Sequence, residues 1–134
     1  MKNSTIRILL ANNHEIFRSG TKKALSSYSS QIQIVGEAAS FEEILSKLPE
    51  LQIDILLTDD IMSGGDILTF LPLVKQQNPE LKIIINPFIT EGNQPLEQAI
   101  EWADGLLGIS SSEQEYVRAL EIVYSGDYYQ FNGS

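Results

Sequence analysis

The chain has 134 residues, of which 43% are hydrophobic and 20% are charged, the size and composition of one globular domain. Acidic residues outnumber Lys and Arg 18 to 9, and the resulting formal charge of -9 disfavours direct binding to nucleic-acid phosphates. Cysteine is absent, which excludes disulfides, thiolate metal sites and cysteine nucleophiles.

The start of the chain and its hydropathy predict a cytoplasmic protein. Residues 1–5 are short and polar, unlike the apolar core of a secretory signal. No apolar run approaches the roughly 18–20 residues that a bilayer-spanning helix needs. We therefore expect no membrane contact. The surplus carboxylates either aid solubility or form an acidic site or docking face.

The first third of the chain alternates short apolar runs with segments of helical periodicity. Residues 6–10 form a β-rich run. Apolar side chains then recur every three or four positions over residues 16–28, which predicts a helix. A second strand at residues 32–35 is followed by Ser40 and Glu43, whose spacing is typical of a capping box at a helix start.

The middle of the chain continues this alternation. A third apolar run at residues 53–57 leads into a loop at residues 61–65. Asp66 is the predicted N-cap of the next helix, which ends near Gln77. A fourth run at residues 81–85 precedes a polar loop that contains proline and glycine. These features predict two further β-α units.

The last third predicts a short helix, a weak strand and a longer helix. The helix covers about residues 95–103 and the strand residues 105–109. Ser112 begins a second capping box, and the helix that follows places Tyr116 and Tyr124 on its predicted buried face. The β-α pattern therefore occurs five times.

Five β-α units with almost continuously apolar strands predict a doubly wound α/β domain, in which helices cover both faces of a parallel sheet. The crossovers between strands should be right-handed. In such a sheet, functional residues gather at the carboxyl ends of the strands. The polar residues predicted at those ends are Asn12, Asn13, Asp59, Asp60, Asn86 and Ser110.

Three other candidate motifs carry little functional signal. The glycine-rich residues 63–65 lack the spacing of a Walker or dinucleotide-binding loop. His14 is the single histidine, and it has no companion ligand for a transition metal. Asp59 and Asp60 are adjacent, and neighbouring strand residues point to opposite faces. Sharing of a proton by this pair would therefore require an irregular strand end.

Six collinear segments between about residue 6 and residue 129 match one family: IRILLA at 6–11, HEIFRSG at 14–20, IVGEAA at 34–39, DILLTD at 54–59, MSGGD at 62–66 and ADGLL at 103–107. On these segments the chain resembles the receiver domain of bacterial response regulators, in the subfamily whose receivers precede a LuxR/NarL-type helix-turn-helix. The resemblance implies a CheY-like, flavodoxin-like fold with five parallel strands in the order 2-1-3-4-5.

The resemblance also implies a domain organisation. Residues 1–126 would be the receiver domain, and residues 127–134 would leave it as the start of a linker to a C-terminal helix-turn-helix domain absent from this chain. That domain, if basic, would supply the DNA contacts that the acidic receiver disfavours. Receivers of this kind also pair symmetrically, so we expect a weak homodimer.

In the family, a histidine kinase transfers a phosphoryl group to one aspartate, which by position is Asp59. An acidic pair after strand one and the backbone carbonyl corresponding to Ile61 hold Mg²⁺, a cation that prefers oxygen ligands. A Thr or Ser after strand four and a Lys after strand five hold the phosphoryl oxygens. An aromatic residue in strand five reports the phosphorylation state by changing rotamer.

This chain departs from the family at each supporting position. The departures are Asn12 and Asn13 at the acidic pair, Asn86 at the Thr/Ser position, Ile109 at the Lys position and Leu106 at the aromatic position. Asp59 alone matches, and Asp60 could lend a carboxylate if the strand end bends. We expect no bound Mg²⁺ or other cofactor, and less electrostatic repulsion on Asp59 than in a receiver with an intact acidic pair.

The sequence therefore predicts an atypical receiver domain of a transcriptional regulator. It would act by partner contact or dimerisation, independently of phosphorylation, and would not be an enzyme. Two alternatives stay open: a receiver still phosphorylated on Asp59 by a histidine kinase, and a small-molecule sensor that uses the emptied pocket. A flavodoxin-like enzyme lacks support, because no phosphate loop or cofactor motif is present.

Overall fold

The computed structural model describes residues 5–63, 65–88 and 94–131. The strands are β1 (Ile6–Ala11), β2 (Ile32–Ala38), β3 (Ile55–Thr58), β4 (Lys82–Ile85), β5 (Gly105–Leu107) and β6 (Tyr129–Phe131). The helices are α1 (Glu15–Leu25), α2 (Phe41–Lys47), α3 (Ile67–Gln77), α4 (Gln94–Ala99) and α5 (Glu113–Tyr124). Within these described ranges, no helix is both long enough and apolar enough to cross a bilayer.

All neighbouring strands are parallel, in the order β2-β1-β3-β4-β5-β6. The register between β1 and β2 shifts once, between Ile8 and Leu9. This arrangement confirms the doubly wound α/β fold and the predicted order of the first five strands. It also sets the carboxyl ends of β1, β3, β4 and β5 side by side.

The two faces of the sheet each bury a hydrophobic cluster, because alternate strand residues point to opposite sides. Leu9, Leu56 and Ile83 pack on one face, against apolar residues of α2, α3 and α4. Ile8 and Leu57 pack on the other face, against residues of α1 and α5. Burial on both faces explains why the strands read as almost continuous apolar runs.

The sixth strand corrects the prediction of a five-stranded sheet. We expected residues 127–134 to leave the domain, but β6 pairs in parallel with β5 and Tyr129 is buried. A Cβ atom at Gly105 would lie only 3.3 Å from the carbonyl oxygen of Tyr129 and 3.1 Å from Val123. The glycine therefore permits the close approach of β6 and α5 to β5. Residues 132–134 lie outside the described residues.

The predicted helix starts are confirmed, and one predicted core residue is not. The side chains of Ser40, Asp66 and Ser112 each accept a hydrogen bond from a backbone N–H two or three positions ahead, at 3.0–3.1 Å. Tyr116 is 6% exposed, as expected for the buried face of α5, but Tyr124 is 41% exposed. Tyr124 is the last residue of α5, and its partial exposure corrects the prediction that it is a core residue.

Candidate functional site at the carboxyl ends of the strands

The predicted site residues meet at one edge of the sheet. Asn12 directly follows β1, and Asp59 and Asp60 directly follow β3. Asn86 follows β4, and Ile109 lies two positions beyond the end of β5. Since these strands are neighbours in the sheet, the fold brings together residues that are far apart in the sequence.

The Asp59 carboxylate is held by three donors. Its Oδ1 accepts hydrogen bonds from the backbone N–H groups of Asp60, at 2.7 Å, and Ile61, at 3.4 Å. Its Oδ2 accepts a longer bond, at 3.4 Å, from Nδ2 of Asn12. The regular strand ends at Thr58, but the backbone N–H of Asp59 still donates to the carbonyl oxygen of Ala11 at 3.0 Å, and the chain turns only after it, with a bend at Asp60. This turn gives the irregular strand end that the sequence left open.

The turn brings the Asp60 side chain against that of Asp59, although the two residues are adjacent in sequence. Burial, together with hydrogen bonding to and repulsion from the Asp60 carboxyl group, raises the pKa of Asp59 to about 7. Asp60 itself is 7% exposed. Repulsion on Asp59 therefore persists in this chain, and the expectation that it is weaker than in a receiver with an intact acidic pair stays a prediction. The acidic pair after β1 is absent, but Asp60 supplies a like charge from the other side.

The donors and acceptors around Asp59 do not fit Mg²⁺. Asn12 Oδ1 accepts the backbone N–H of His14 at 2.8 Å, and this contact turns the amide nitrogen towards Asp59. A hydrogen-bond donor thus faces Asp59 where a hard cation would need an oxygen ligand. Asn13 is exposed. In the described ranges, no cluster of three or more His, Cys, Asp or Glu side chains could hold a metal ion.

Arg18 fixes the loop between β1 and α1, a role that sequence reasoning missed. Its Nη1 donates to the carbonyl oxygen of Asn12 at 2.5 Å, and its Nε donates to Glu37 on β2 at 3.0 Å. Lys22 contacts the same carboxylate at 2.7 Å, and the hydrogen bonds from Lys22 and Arg18 lower the pKa of Glu37 despite its partial burial. No local pattern could have identified Arg18, because its partners lie on other elements.

A buried hydrogen-bond network connects the residues that follow β4 and β5 at the same edge of the sheet. Nδ2 of Asn86 donates to the carbonyl oxygen of Leu107, at 2.5 Å, and to the hydroxyl of Tyr116, at 3.2 Å. The Tyr116 hydroxyl lies 3.1 Å from the carbonyl oxygen of Ile109 and donates to it. The Ile109 N–H in turn donates to the carbonyl oxygen of Pro87 at 3.1 Å. The loops after β4 and β5 are therefore tied to each other and to α5.

The spacing of apolar residues predicts that Tyr116 is a core residue. The hydrogen bonds of its hydroxyl group were not predicted. Its hydroxyl is neutral and able to donate, because burial raises its pKa above the ordinary value. The spacing of apolar residues on α5 predicts a buried ring, but the position of its hydroxyl depends on β4 and β5. Leu106, at the position where the family has an aromatic residue, is buried in the cluster that includes Leu96 and Ala99.

Comparison with known proteins identifies the family. Residues 8–104 match the response regulator receiver domain. The chain is 31% identical over 124 residues to the response regulator UvrY of Escherichia coli strain K12, an alignment that covers 92% of this chain and 56% of that protein. The chain thus spans somewhat more than half the length of the curated relatives that it matches.

Solved structures show the same fold. The isolated receiver domain of RcsB from Salmonella enterica serovar Typhimurium, determined with the phosphomimetic BeF3-, has a TM-score of 0.86 at 22% identity and covers 97% of this chain and 96% of that chain. The receiver domain of the response regulator NarL from Mycobacterium tuberculosis, described as putative, has a TM-score of 0.81 at 26% identity, covering 92% and 98% of the two chains.

Proposed function

Because the chain belongs to the response regulator receiver domain family, we propose that it is the receiver of a LuxR/NarL-type transcriptional regulator whose output does not depend on phosphorylation of Asp59. The observation that carries this proposal is the amide of Asn12, whose Nδ2 faces Oδ2 of Asp59 at 3.4 Å. Phosphoryl transfer depends on positioning and on neutralisation of charge by cations. Here a neutral amide donor stands where the family has a carboxylate ligand of that cation.

The state of the Asp59 carboxyl group supports the same proposal. An aspartate that accepts a phosphoryl group must attack as an ionised carboxylate. The pKa of Asp59, raised to about 7 by burial and by Asp60, leaves a large fraction of the group protonated near neutral pH. The carboxyl group of Asp60, which already repels Asp59, would also repel a phosphoryl group attached there.

The phosphoryl-binding positions after β4 and β5 offer no counter-charge. Ile109 has a hydrocarbon side chain in place of the family's Lys. Asn86 has two amide hydrogens, and both are directed at other acceptors, the Leu107 carbonyl oxygen and the Tyr116 hydroxyl. A phosphoryl group on Asp59 would therefore lack the donors that stabilise it in the family.

The proposed role is regulatory, not catalytic, and it takes place in the cytoplasm. The receiver would act by contact with a partner or with a second copy of itself. Structures of RcsB, a protein of the same fold, include dimers bound to DNA. By analogy, DNA would be contacted through a C-terminal helix-turn-helix domain that follows the receiver, and not through the acidic receiver itself.

Homodimer formation is the mode of action that we favour. Receivers pair through either the first and last helices or the elements around the fourth and fifth strands. In this chain β6 pairs with β5, so the edge of β5 is already occupied. We therefore propose pairing through α1 and α5. We expect a weak dimer whose dissociation constant, measured by sedimentation equilibrium, is unchanged by Mg²⁺ and phosphodonor. A dimer that forms only with phosphodonor would contradict this.

A beryllofluoride titration tests independence from phosphorylation. The chain is titrated with beryllofluoride and millimolar Mg²⁺ while the amide signals of residues 59–61 are followed by NMR. We expect no saturable shift. The positive control is a variant with the family residues restored, Asn12→Asp, Asn13→Asp, Asn86→Thr and Ile109→Lys, which should bind. Saturable binding by the unmodified chain would support the alternative of a working phosphoacceptor.

A small-molecule sensor is the second alternative, and one feature favours it. A hollow of about 160 Å³ lies between α1 and the loop after β5, with Phe17, Thr21, Ile109 and Tyr116 among its lining residues. It is small for a ligand site, which usually encloses ~300 Å³ or more. A screen of metabolites by thermal shift would test this alternative. A ligand-induced increase in Tm that is lost in Thr21→Leu would support it.

A further inference from the structure

The hydrogen bonds around Tyr116 join three separate elements. Asn86 follows β4, Leu107 ends β5, and Tyr116 lies in the first turn of α5. The side chains of Asn86 and Tyr116 belong to residues that are 2% and 6% exposed. The bonds between them are therefore made away from water, where loss of one partner leaves a buried polar group unsatisfied.

The direction of each bond in this network follows from its partners. A carbonyl oxygen can only accept, so the Asn86 atom that lies 2.5 Å from the Leu107 oxygen must be the amide nitrogen. The second hydrogen of that nitrogen points to the Tyr116 hydroxyl, which is 3.2 Å away. The hydroxyl hydrogen is then directed to the Ile109 carbonyl oxygen. A longer contact of 3.4 Å, from the Tyr116 hydroxyl to Oδ1 of Asn86, offers the same hydrogen a second acceptor.

The residues in this network lie at the same edge of the sheet as Asp59. Asn86 begins the loop after β4 and donates its backbone N–H to the carbonyl oxygen of Thr58, one residue before Asp59, at 2.7 Å. Ile109 lies in the loop after β5, and its N–H donates to Pro87 in the other loop. Neither loop can move away from the other without breaking a bond to Tyr116 or to Pro87.

We propose that Tyr116 is a clamp residue whose hydroxyl ties α5 to Asn86, just after β4, and to Ile109, just after β5, and so holds these two residues in one arrangement whatever the chemical state of Asp59. The regulatory role of this clamp rests on the proposed function. The clamp makes the conformation of α5 independent of the chemical state of Asp59. Tyr116 is a positioning residue, because it acts on the loops and not on a ligand.

Amide hydrogen exchange of the whole chain, without Mg²⁺ or phosphodonor, tests the clamp. Tyr116→Phe removes the hydroxyl and keeps the ring. We expect the amides of Asn86 and Ile109 to exchange about tenfold faster, and the amide of Ile6, at the opposite end of the sheet, to change less than about twofold. Tyr124→Phe makes the same chemical change in the same helix at an exposed position, and should alter none of these rates.

A second variant tests whether Asn86 and Tyr116 act as a unit. Asn86→Ala alone should accelerate exchange at Ile109, and the double variant should be no faster than the faster single variant. The clamp is overturned if Tyr116→Phe and Tyr124→Phe behave alike, if exchange rises uniformly throughout the sheet, or if the two single effects multiply. Because no phosphodonor is present, a later finding that Asp59 binds beryllofluoride would overturn the proposed function and leave this result unchanged.

Discussion

The edge of the sheet that carries the candidate site has two unlike halves. The acidic half consists of Asn12, Asp59 and Asp60, and the clamped half consists of Asn86, Ile109 and Tyr116. In the acidic half, two carboxyl groups lie against each other and the pKa of Asp59 is raised to about 7. In the clamped half, only neutral groups interact, through bonds of 2.5–3.2 Å.

This difference shows that neighbouring halves of one sheet edge can differ in the physical terms that govern their stability. The polar groups of the clamped half bond to neutral internal partners, so their contribution to stability does not depend on pH near neutrality. In the acidic half, the carboxyl group of Asp59 lies beside that of Asp60. Repulsion between the two lowers the free energy of unfolding when both are ionised. The acidic half should therefore respond to pH, and the clamped half should respond only to changes in packing and hydrogen bonding.

The largest expected effect is in the clamped half. Tyr116→Ala removes a ring that is 6% exposed and also breaks its hydrogen bonds, so the free energy of unfolding should fall by ~3–5 kcal/mol. Urea denaturation would measure it. Tyr124→Ala, in the same helix but 41% exposed, should cost less than ~1 kcal/mol. Equal costs at the two positions would show that the clamped half is not anchored by Tyr116.

The next effect distinguishes the acidic half by its pH dependence. The pKa of Asp59 is about 7 in the folded protein, against an ordinary value of 3.8. The contribution of Asp59 to the free energy of unfolding is therefore fully present below about pH 4 and is lost as the pH rises to 7. Asp59→Asn should remove this loss. Full conversion of the shift gives ~4 kcal/mol, but solvent screening of the partly exposed carboxyl group reduces the expected gain to ~2 kcal/mol at pH 8.

Urea denaturation from pH 4 to pH 8 measures this gain. The advantage of Asp59→Asn over the unmodified chain should grow steadily with pH. Asp127→Asn, which changes an exposed carboxyl group, provides the matched control and should show no such trend. Parallel stability curves for Asp59→Asn and the unmodified chain would show that the pKa of Asp59 is not raised in the folded protein.

A smaller effect isolates the contribution of Asp60. Asp60→Asn removes the like charge but keeps the backbone N–H that donates to Asp59 at 2.7 Å. The pKa of Asp59 should fall towards its ordinary value by at least ~1 unit, which corresponds to ~1.4 kcal/mol. A carboxyl-carbon NMR titration would report it directly. If the pKa stays near 7, burial alone would explain the shift and the acidic half would not be a coupled pair.

The smallest effect compares two helix caps. Ser112→Ala and Ser40→Ala each remove an N-cap hydrogen bond of 3.1 Å, and each should cost ~1 kcal/mol in urea denaturation. Only Ser112 starts the helix that carries Tyr116. Ser112→Ala should therefore also accelerate amide exchange at Ile109, and Ser40→Ala should not. The same acceleration in both variants would mean that the clamp is insensitive to the start of α5.

The architecture and the sheet edge that carries the candidate site could be predicted from the amino-acid sequence. The alternation of apolar runs with helical periodicity, the caps at Ser40, Asp66 and Ser112, and the collinear family segments predicted a parallel α/β receiver fold. These signals are readable because capping and amphipathic periodicity depend on residues within a few positions of each other. Functional residues of parallel sheets lie at the carboxyl ends of the strands, and this rule predicted the sheet edge that carries the candidate site.

The contacts between side chains at that edge could not be predicted from the sequence and became known from the folded structure. His14, two positions away, orients the Asn12 amide, but the carboxylate that this amide meets belongs to Asp59, 47 positions away. The partner of Asn86 is Tyr116, 30 positions away. β6 is a three-residue strand, and its backbone oxygen at Tyr129 would lie only 3.3 Å from a Cβ atom at Gly105. Even the contact between the adjacent Asp59 and Asp60 requires the chain to turn after β3. Such contacts follow from the packing of separate elements, which no local pattern of residues encodes.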